Sequence, residues 1–540
     1  MIKKFTNNFN FLVLLVLFLF ICGPLFTLSS FGPGDDLNYV KRFESSSFFF
    51  IELKNFFLDK PIFFQRPISA FFIALSHFVF GDNFKLYMYS FFFLFLTANF
   101  FIYKSVKLLT DKTIANTFLI LSITPFLTSA LLQSPYLFSE LILPILFWSI
   151  SFLYLVLSLK NEKNFFLISH FFLLLSLLCT VISFPLFAIN LLLPLLLWSK
   201  NFCIKNFFFK IALPIFCVLL IYFCYLLFIK FFFKSHIYGF SSLNSHSLYQ
   251  GIYYYFTIFV EFPIMLLEGL KFTTLFDFFI IFILVFFFFF FSKKKQESSQ
   301  SFLKKKINLK FFFIILFISL MSNSLIFFIS NYPSVTFGYY NRMLIAAFVS
   351  FSLVLSVVLN YKKNLFLYLL KIILITMILN SSKIITNQIK EIEIIKKNET
   401  NNLVKSLYPY QNNSKKIVLV AKLPLYLKDN FNNLQIFWLT WNLDAILKLN
   451  NLNFYLTYPL SNETLIIKDY QPGHNFFNSL KYLDKQKIDL YLYSNSGQVF
   501  EFFKIDDLVD YLMYKKKEIP PINLISRESL RLKFKNIFGN

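Results

Sequence analysis

What most constrains this chain is a rhythm: apolar runs of about 20 residues, the length that crosses a bilayer core, recur along it, and many close on lysines. Eleven are predicted as membrane spans, at 11–28, 84–103, 114–132, 136–157, 165–184, 186–198, 211–233, 277–291, 309–330, 343–359 and 365–379. Hydrophobic residues make up 57% of the 540, above the 45–50% or so of soluble domains, so these runs cannot be the cores of ordinary globular units.

Lysine placement predicts the orientation. Connections at Lys104 and Lys107, Lys160 and Lys163, Lys200 to Lys210, Lys293 to Lys306, and Lys362 and Lys363 alternate with short connections at 133–135, 185 and 331–341 that carry no lysine. Positive residues stay cytoplasmic, which places the N-terminus inside and residues 32–67 outside. Lys3 and Lys4 precede the first run, but its length and the Gly23-Pro24 that follows argue for an uncleaved span rather than a leader. The formal charge of +24 therefore reflects loop lysines and an AT-rich, Phe-, Ile-, Lys- and Asn-laden composition, not a nucleic-acid surface. A multi-pass protein of a bacterial inner membrane is expected. The five cysteines, at 22, 179, 203, 217 and 224, lie in or beside apolar runs with neither disulfide nor metal spacing.

Two external connections are long. The first, 32–83, has Phe-rich pieces at 47–58 and 67–80 too short to span; the second, 234–274, mixes Tyr, Ser and His with apolar residues as interfacial helices do. From residue 383 the composition turns polar. Residues 1–382 are read as the transmembrane domain. Residues 383–540 are read as a small extracytoplasmic α/β domain, with a polar helix at 383–405, strands at 416–421, 453–458 and 487–493, and helices near 434–449 and 505–514. It holds no phosphate loop or catalytic triad and is expected to pack or to recognise an acceptor.

Charges at the outer rim are the candidate functional groups. Asp35 and Asp36 follow a Gly-Pro-Gly turn just beyond the first run; turns favour Asp, but a carboxylate at an apolar surface is also suited to act as a base. Arg66 precedes Pro67 at a helix start, and Arg342 is the one charged residue between Lys310 and Lys362. An arginine there either snorkels to headgroups or grips an anion through paired hydrogen bonds. Glu140 interrupts an apolar run, as a functional acid or as the partner of Arg66 or Arg342. Glu261 and Glu268, seven apart, share a helical face and contact an acceptor or face water. His77, His236 and His246 lack ligand spacing, so no metal or other cofactor is assigned, and His170 is read as helix packing.

The order of these features is one span, an external acid pair, an interfacial stretch, Arg66-Pro67 opening a helix, and then Phe80-Gly81-Asp82-Asn83 before the next span. This order resembles the integral-membrane GT-C glycosyltransferases, especially the branch of protein mannosyltransferases and aminoarabinose transferases. Their acid pair is usually Asp-Glu where this chain has Asp35-Asp36, which leaves the role of Asp36 open. The specific resemblance covers about residues 11–108, and architecture carries it further. It implies transfer of a sugar from a polyprenyl-phosphate donor to an envelope glycan, lipid or protein, with inversion. It further implies Asp35 as general base and Arg66 on the donor phosphate, with Arg342 as a second cation; some relatives also use a divalent ion. A polysaccharide polymerase or ligase is the rival reading and would place its catalytic residues in a large later loop. A flippase or transporter ranks third and would place charges near mid-membrane.

Overall fold

The computed structural model describes residues 2–28, parts of 49–57, 64–81, 83–133, 138–161, 165–197, 204–233, 245–293, 308–329, 343–361 and 364–410. In the C-terminal part it describes 416–420, 447, 452, 456–459, 489–493 and 499–502. The chain is a polytopic helical membrane protein. Among the described residues seven helices are long and apolar enough to cross a membrane: Asn10–Thr27, Phe84–Leu109, Phe138–Lys160, Ile204–Phe231, Leu275–Ser292, Leu309–Phe328 and Leu365–Tyr410. Four shorter apolar helices accompany them, at Pro67–Phe80, Phe166–Cys179, Val181–Leu195 and Ile345–Val358. Bulky side chains on several of these helices, Phe216, Phe231, Phe279 and Leu365 among them, are exposed, as hydrocarbon-facing residues are.

Local chemistry sets where these helices begin and end. Helix α1 (Ile2–Cys22) stops at Gly23-Pro24 and tightens into a 3-10 turn over Gly23–Thr27. Helix α2 (Pro67–Phe80) starts on a proline at its first position, where the missing N–H costs nothing. It ends at Gly81, whose φ of 53° lies in the left-handed region and whose N–H donates to the His77 carbonyl at 2.7 Å. Helix α3 (Phe84–Leu109) ends at Thr110, with the Lys104 ammonium over the Phe100 ring.

The predicted span at 114–132 is not a single helix. Helix α4 (Lys112–Leu121) breaks over Ser122–Pro125, where Pro125 has no N–H to continue the ladder. A 3-10 stretch, Phe126–Gln133, follows with a non-helical Thr128. Helix α5 (Leu143–Asn161) packs on α6 (Phe166–Cys179), which stops at an extended Thr180 before a 3-10 turn containing Pro185. Helix α7 (Phe187–Leu197) then follows. The expected spans at 165–184 and 186–198 are thus divided differently, because the break falls at Thr180 rather than at Pro185. Small polar residues hold this region without charge: the Ser151 and Ser169 hydroxyls lie 3.1 Å apart, and the buried Trp148 indole donates to Asn190 Oδ1 at 3.0 Å.

Helix α8 (Leu213–Phe233) precedes the second long connection, where the structure is helical from Ser245 to Phe272. It comprises α9 (Ser245–Phe256), a π turn at Thr257–Glu261, α10 (Phe262–Gly269) and a final 3-10 turn. Helices α11 (Leu275–Lys293), α12 (Leu309–Ser322), α13 (Ser324–Ile329) and α14 (Ile345–Val358) come next. Gly251 of α9 is required by close approach, since a Cβ there would enter the Phe328 ring of α13. Helix α15 (Leu365–Leu407) has 43 residues, more than twice the 20 or so that a bilayer core needs.

The described residues divide into two units, one through Lys390 and one from Glu391 onward. In the second, strands β1 (Lys416–Val420), β2 (Leu456–Pro459), β3 (Asp489–Tyr493) and β4 (Val499–Phe502) form one sheet in the order β2-β1-β3-β4. β1 pairs parallel with both neighbours, and β3 and β4 pair antiparallel, with Leu490 opposite Phe502. Three of these strands overlap the predicted ones, and the sequence reading assigns no element at β4. The helices expected near 434–449 and 505–514 lie, save Leu447, outside the described residues.

Candidate functional site

Arg66 is held where an arginine would otherwise be expensive. A residue before proline avoids the helical region, and Arg66 takes φ −132° and ψ 57°, which turns the chain into α2. Its Nη1 donates to Glu140 Oε2 at 2.9 Å. Glu140 lies in the short helix Phe138–Leu141, and the two side chains are 20% and 12% exposed. At that depth an ion pair is far less screened than at a surface, so the two groups fix one another.

The surroundings hold this geometry. The Ser69 hydroxyl, one turn into α2, lies 2.7 Å from the Ser139 carbonyl and 2.9 Å from that of Cys179. It thereby ties α2 to the turn bearing Glu140 and to the end of α6. The Tyr225 hydroxyl of α8 donates to the Phe64 carbonyl at 2.6 Å, fixing the backbone two residues before Arg66. Tyr222, one turn earlier and buried, is within electrostatic reach of Arg66. Gln65, next to Arg66 in the chain, is also buried.

Two atoms are left over. Among the described residues, Glu140 Oε1 and the Ser139 hydroxyl are buried and make no hydrogen bond. Buried carboxylate oxygens are normally satisfied, so the cluster offers one strong acceptor and one hydroxyl beside a positioned guanidinium.

Among the other predicted residues, Glu261 accepts a hydrogen bond from the Tyr253 hydroxyl across the π turn. Burial, together with the hydrogen bond to the Glu261 carboxylate and its charge, pushes the Tyr253 phenol up to about 12. Glu268 is half-buried on α10. Asp35, Asp36 and Arg342 lie outside the described residues, so Arg66 and Glu140 are the predicted pair that the structure brings together. The partnership of Glu140 with Arg66 was one of its two sequence readings.

Sequence reasoning missed Tyr222 and Tyr225, which sit unmarked in an aromatic-rich run. It also missed Lys371 and Lys383, whose signal was available as cations interrupting the run that opens α15. Among the described residues no group of three His, Cys, Asp or Glu side chains is placed to hold a metal ion. No family model, curated protein or solved structure matches this chain.

Proposed function

We propose that the protein is a membrane glycosyltransferase that moves a sugar from a polyprenyl-phosphate donor to an envelope glycan, lipid or protein at the outer face. The observation that supports this reading is the Arg66 guanidinium, fixed by Glu140 at the head of α2. The guanidinium, oriented by Glu140, binds the donor phosphate, with Arg342 as a second cation. The resemblance in the order of motifs, acid pair then Arg66-Pro67, supports the same assignment. In this reading the chain crosses the membrane eleven times and residues 383–540 lie on the extracytoplasmic side.

The chemistry is a single inverting displacement. The Asp35 carboxylate takes the proton of the acceptor hydroxyl as that oxygen attacks the anomeric carbon, while Asp36 orients the acceptor. The bond from the anomeric carbon to the phosphate oxygen breaks, and polyprenyl phosphate leaves with the electron pair. Arginines aimed at the phosphate stabilise the charge that develops there, the electrostatic term on which such transfers depend.

Lipid mass spectrometry of membranes with and without a functional copy tests this. A polyprenyl-phosphate sugar is expected to accumulate in the absence of the protein, and Asp35→Asn is expected not to restore its consumption. Full rescue by Asp35→Asn removes the base assignment. Accumulation of a lipid-linked oligosaccharide instead points to a polymerase or flippase. Arg342→Ala is expected to weaken donor binding, and unchanged affinity for polyprenyl phosphate takes Arg342 out of the site.

A further inference from the structure

Helices α9 and α10, with the turns between and after them, are not used by the site above. Their two faces are the reverse of those of a helix in water, which turns its polar residues outward. Ser247, Gln250 and Thr257 are buried, while Leu248, Ile252, Phe256, Phe259, Pro263 and Leu267 are exposed. Those six recur at steps of three or four residues, which places them on one side of the helix. Between Leu248 and Leu270 no exposed residue is charged.

The inner face is packed at membrane depth. Gly251 presses on the Phe328 ring. The Tyr254 hydroxyl donates to the Leu320 carbonyl at 2.7 Å, and the Tyr255 hydroxyl lies 3.0 Å from Ser324 Oγ. The Tyr254 and Phe327 rings stack at 5.5 Å. All of these partners belong to the Leu309–Phe328 span. Small residues and polar groups turned inward are how helices associate in lipid. The exposed face also runs on into a second spanning helix, α11, whose Leu275, Phe276 and Phe279 are exposed.

One narrow border between the two faces is polar. Glu261 and Glu268 are half-buried and, seven apart, lie on one line along the helix. The π turn at Thr257–Glu261 inserts one residue. That brings Tyr253, eight before Glu261, onto the same line, where its hydroxyl donates to the carboxylate. Residues two apart lie on nearly opposite sides of a helix. Phe259 and Leu270, each two from one of these acids, therefore mark the opposite border, and both are exposed and apolar.

We propose that the helical segment from Ser245 to Phe272 is a lipid-binding surface. It lies within one leaflet, against the α13 end of the Leu309–Phe328 span, with its exposed face among acyl chains. The border of Tyr253, Glu261 and Glu268 sits at the headgroups, and the border of Phe259 and Leu270 faces the bilayer centre. An interfacial helix on its own turns a broad polar face to water; here protein occupies that side, and only the carboxylate border stays wet. Acyl chains are the occupant because the face is uncharged, level with a span and continuous with the lipid-facing side of α11. The inference does not rest on the proposed function.

The test is footprinting of the full wild-type chain in lipid nanodiscs from both sides of the boundary. In one arm a phosphatidylcholine with a diazirine in its acyl chain is photolysed and its adducts are mapped by mass spectrometry; in the other, hydroxyl radicals are generated in the water. Adduct yields at Phe256 and Phe259 are expected to lie within about twofold of those at Phe276 and Phe279 of α11. Radical oxidation of Phe256 and Phe259 is expected to be about tenfold below that of Tyr253, the residue placed at the headgroups. Adducts on α11 with none on Phe256 and Phe259 overturn the proposal: strong oxidation there puts the face in water, and weak oxidation puts a second copy or another protein over it. Lipid adducts on both helices with Tyr253 as protected from radicals as Phe256 overturn the placement of the polar border at the headgroups.

Discussion

Lys371 and Arg66 answer the same problem, a cation beside hydrocarbon, in opposite ways. Lys371 is 2% exposed. Its ammonium lies 4.0 Å from the Phe289 ring centroid and 4.9 Å from that of Tyr368, and it donates to Asn360 Oδ1 at 3.2 Å. The Asn360 amide nitrogen is engaged in turn, at 2.9 Å from Thr117 Oγ1 and 2.7 Å from the Ser356 carbonyl. Every one of these partners is neutral. Arg66 instead meets a carboxylate brought from 74 residues away, with one oxygen of that carboxylate unused. The first is a cage of neutral partners, and the second is an ion pair with a carboxylate oxygen left over among the described residues.

The largest expected effect breaks this comparison at its charged end. Arg66→Ala leaves Glu140 buried without its counter-ion, which costs about 3 kcal/mol for pairs of this kind. Thermal unfolding in detergent should show the loss, and Arg66→Ala with Glu140→Ala should recover a good part of it. A loss in the double variant equal to the sum of the two single losses means that the two residues are not coupled. Lys371→Met should cost about 1 kcal/mol or less, since a desolvated charge is removed together with one hydrogen bond and two ring contacts. Donor binding should not change; if it does, the cage is more than a structural device.

The smallest effect sharpens the comparison with a third pair, Tyr253 and Glu261, outside the spanning helices. A phenol raised to about 12 keeps its proton in the folded state where an unfolded one has lost it. The stability it contributes is therefore full below pH 10 or so and drains as pH rises toward 12. Glu261→Gln removes the carboxylate that helps to raise it, so ultraviolet titration should find the Tyr253 transition at lower pH. An unmoved transition leaves burial as the whole cause.

Much of the fold was legible because membrane insertion is a matter of local composition. Apolar length predicts a crossing helix whatever its neighbours, and seven of the expected runs appear as such helices. The misplacements have local causes of a subtler kind. Pro125 within an apolar run ended a helix that hydropathy alone would continue, and Thr180 ended α6 without any proline to announce it. At the candidate site, Arg66 was legible from its proline and its isolation among apolar residues. Tyr222 and Tyr225 were not, because nothing distinguishes a tyrosine that holds a carbonyl from the many that do not.

By itself, then, the sequence determined that this chain lives in a membrane, where seven of its long helices run, and which few charges would need partners there. Hydropathy and backbone hydrogen bonding act over a few residues, so these follow from the local string. The choice of partner was left to the tertiary structure. It set Glu140 against Arg66, and it brought Lys383 to a carbonyl 363 residues away. The physical reason is that an unmet charge or carbonyl states only that it must be satisfied in hydrocarbon, while the packing of helices decides what comes within reach.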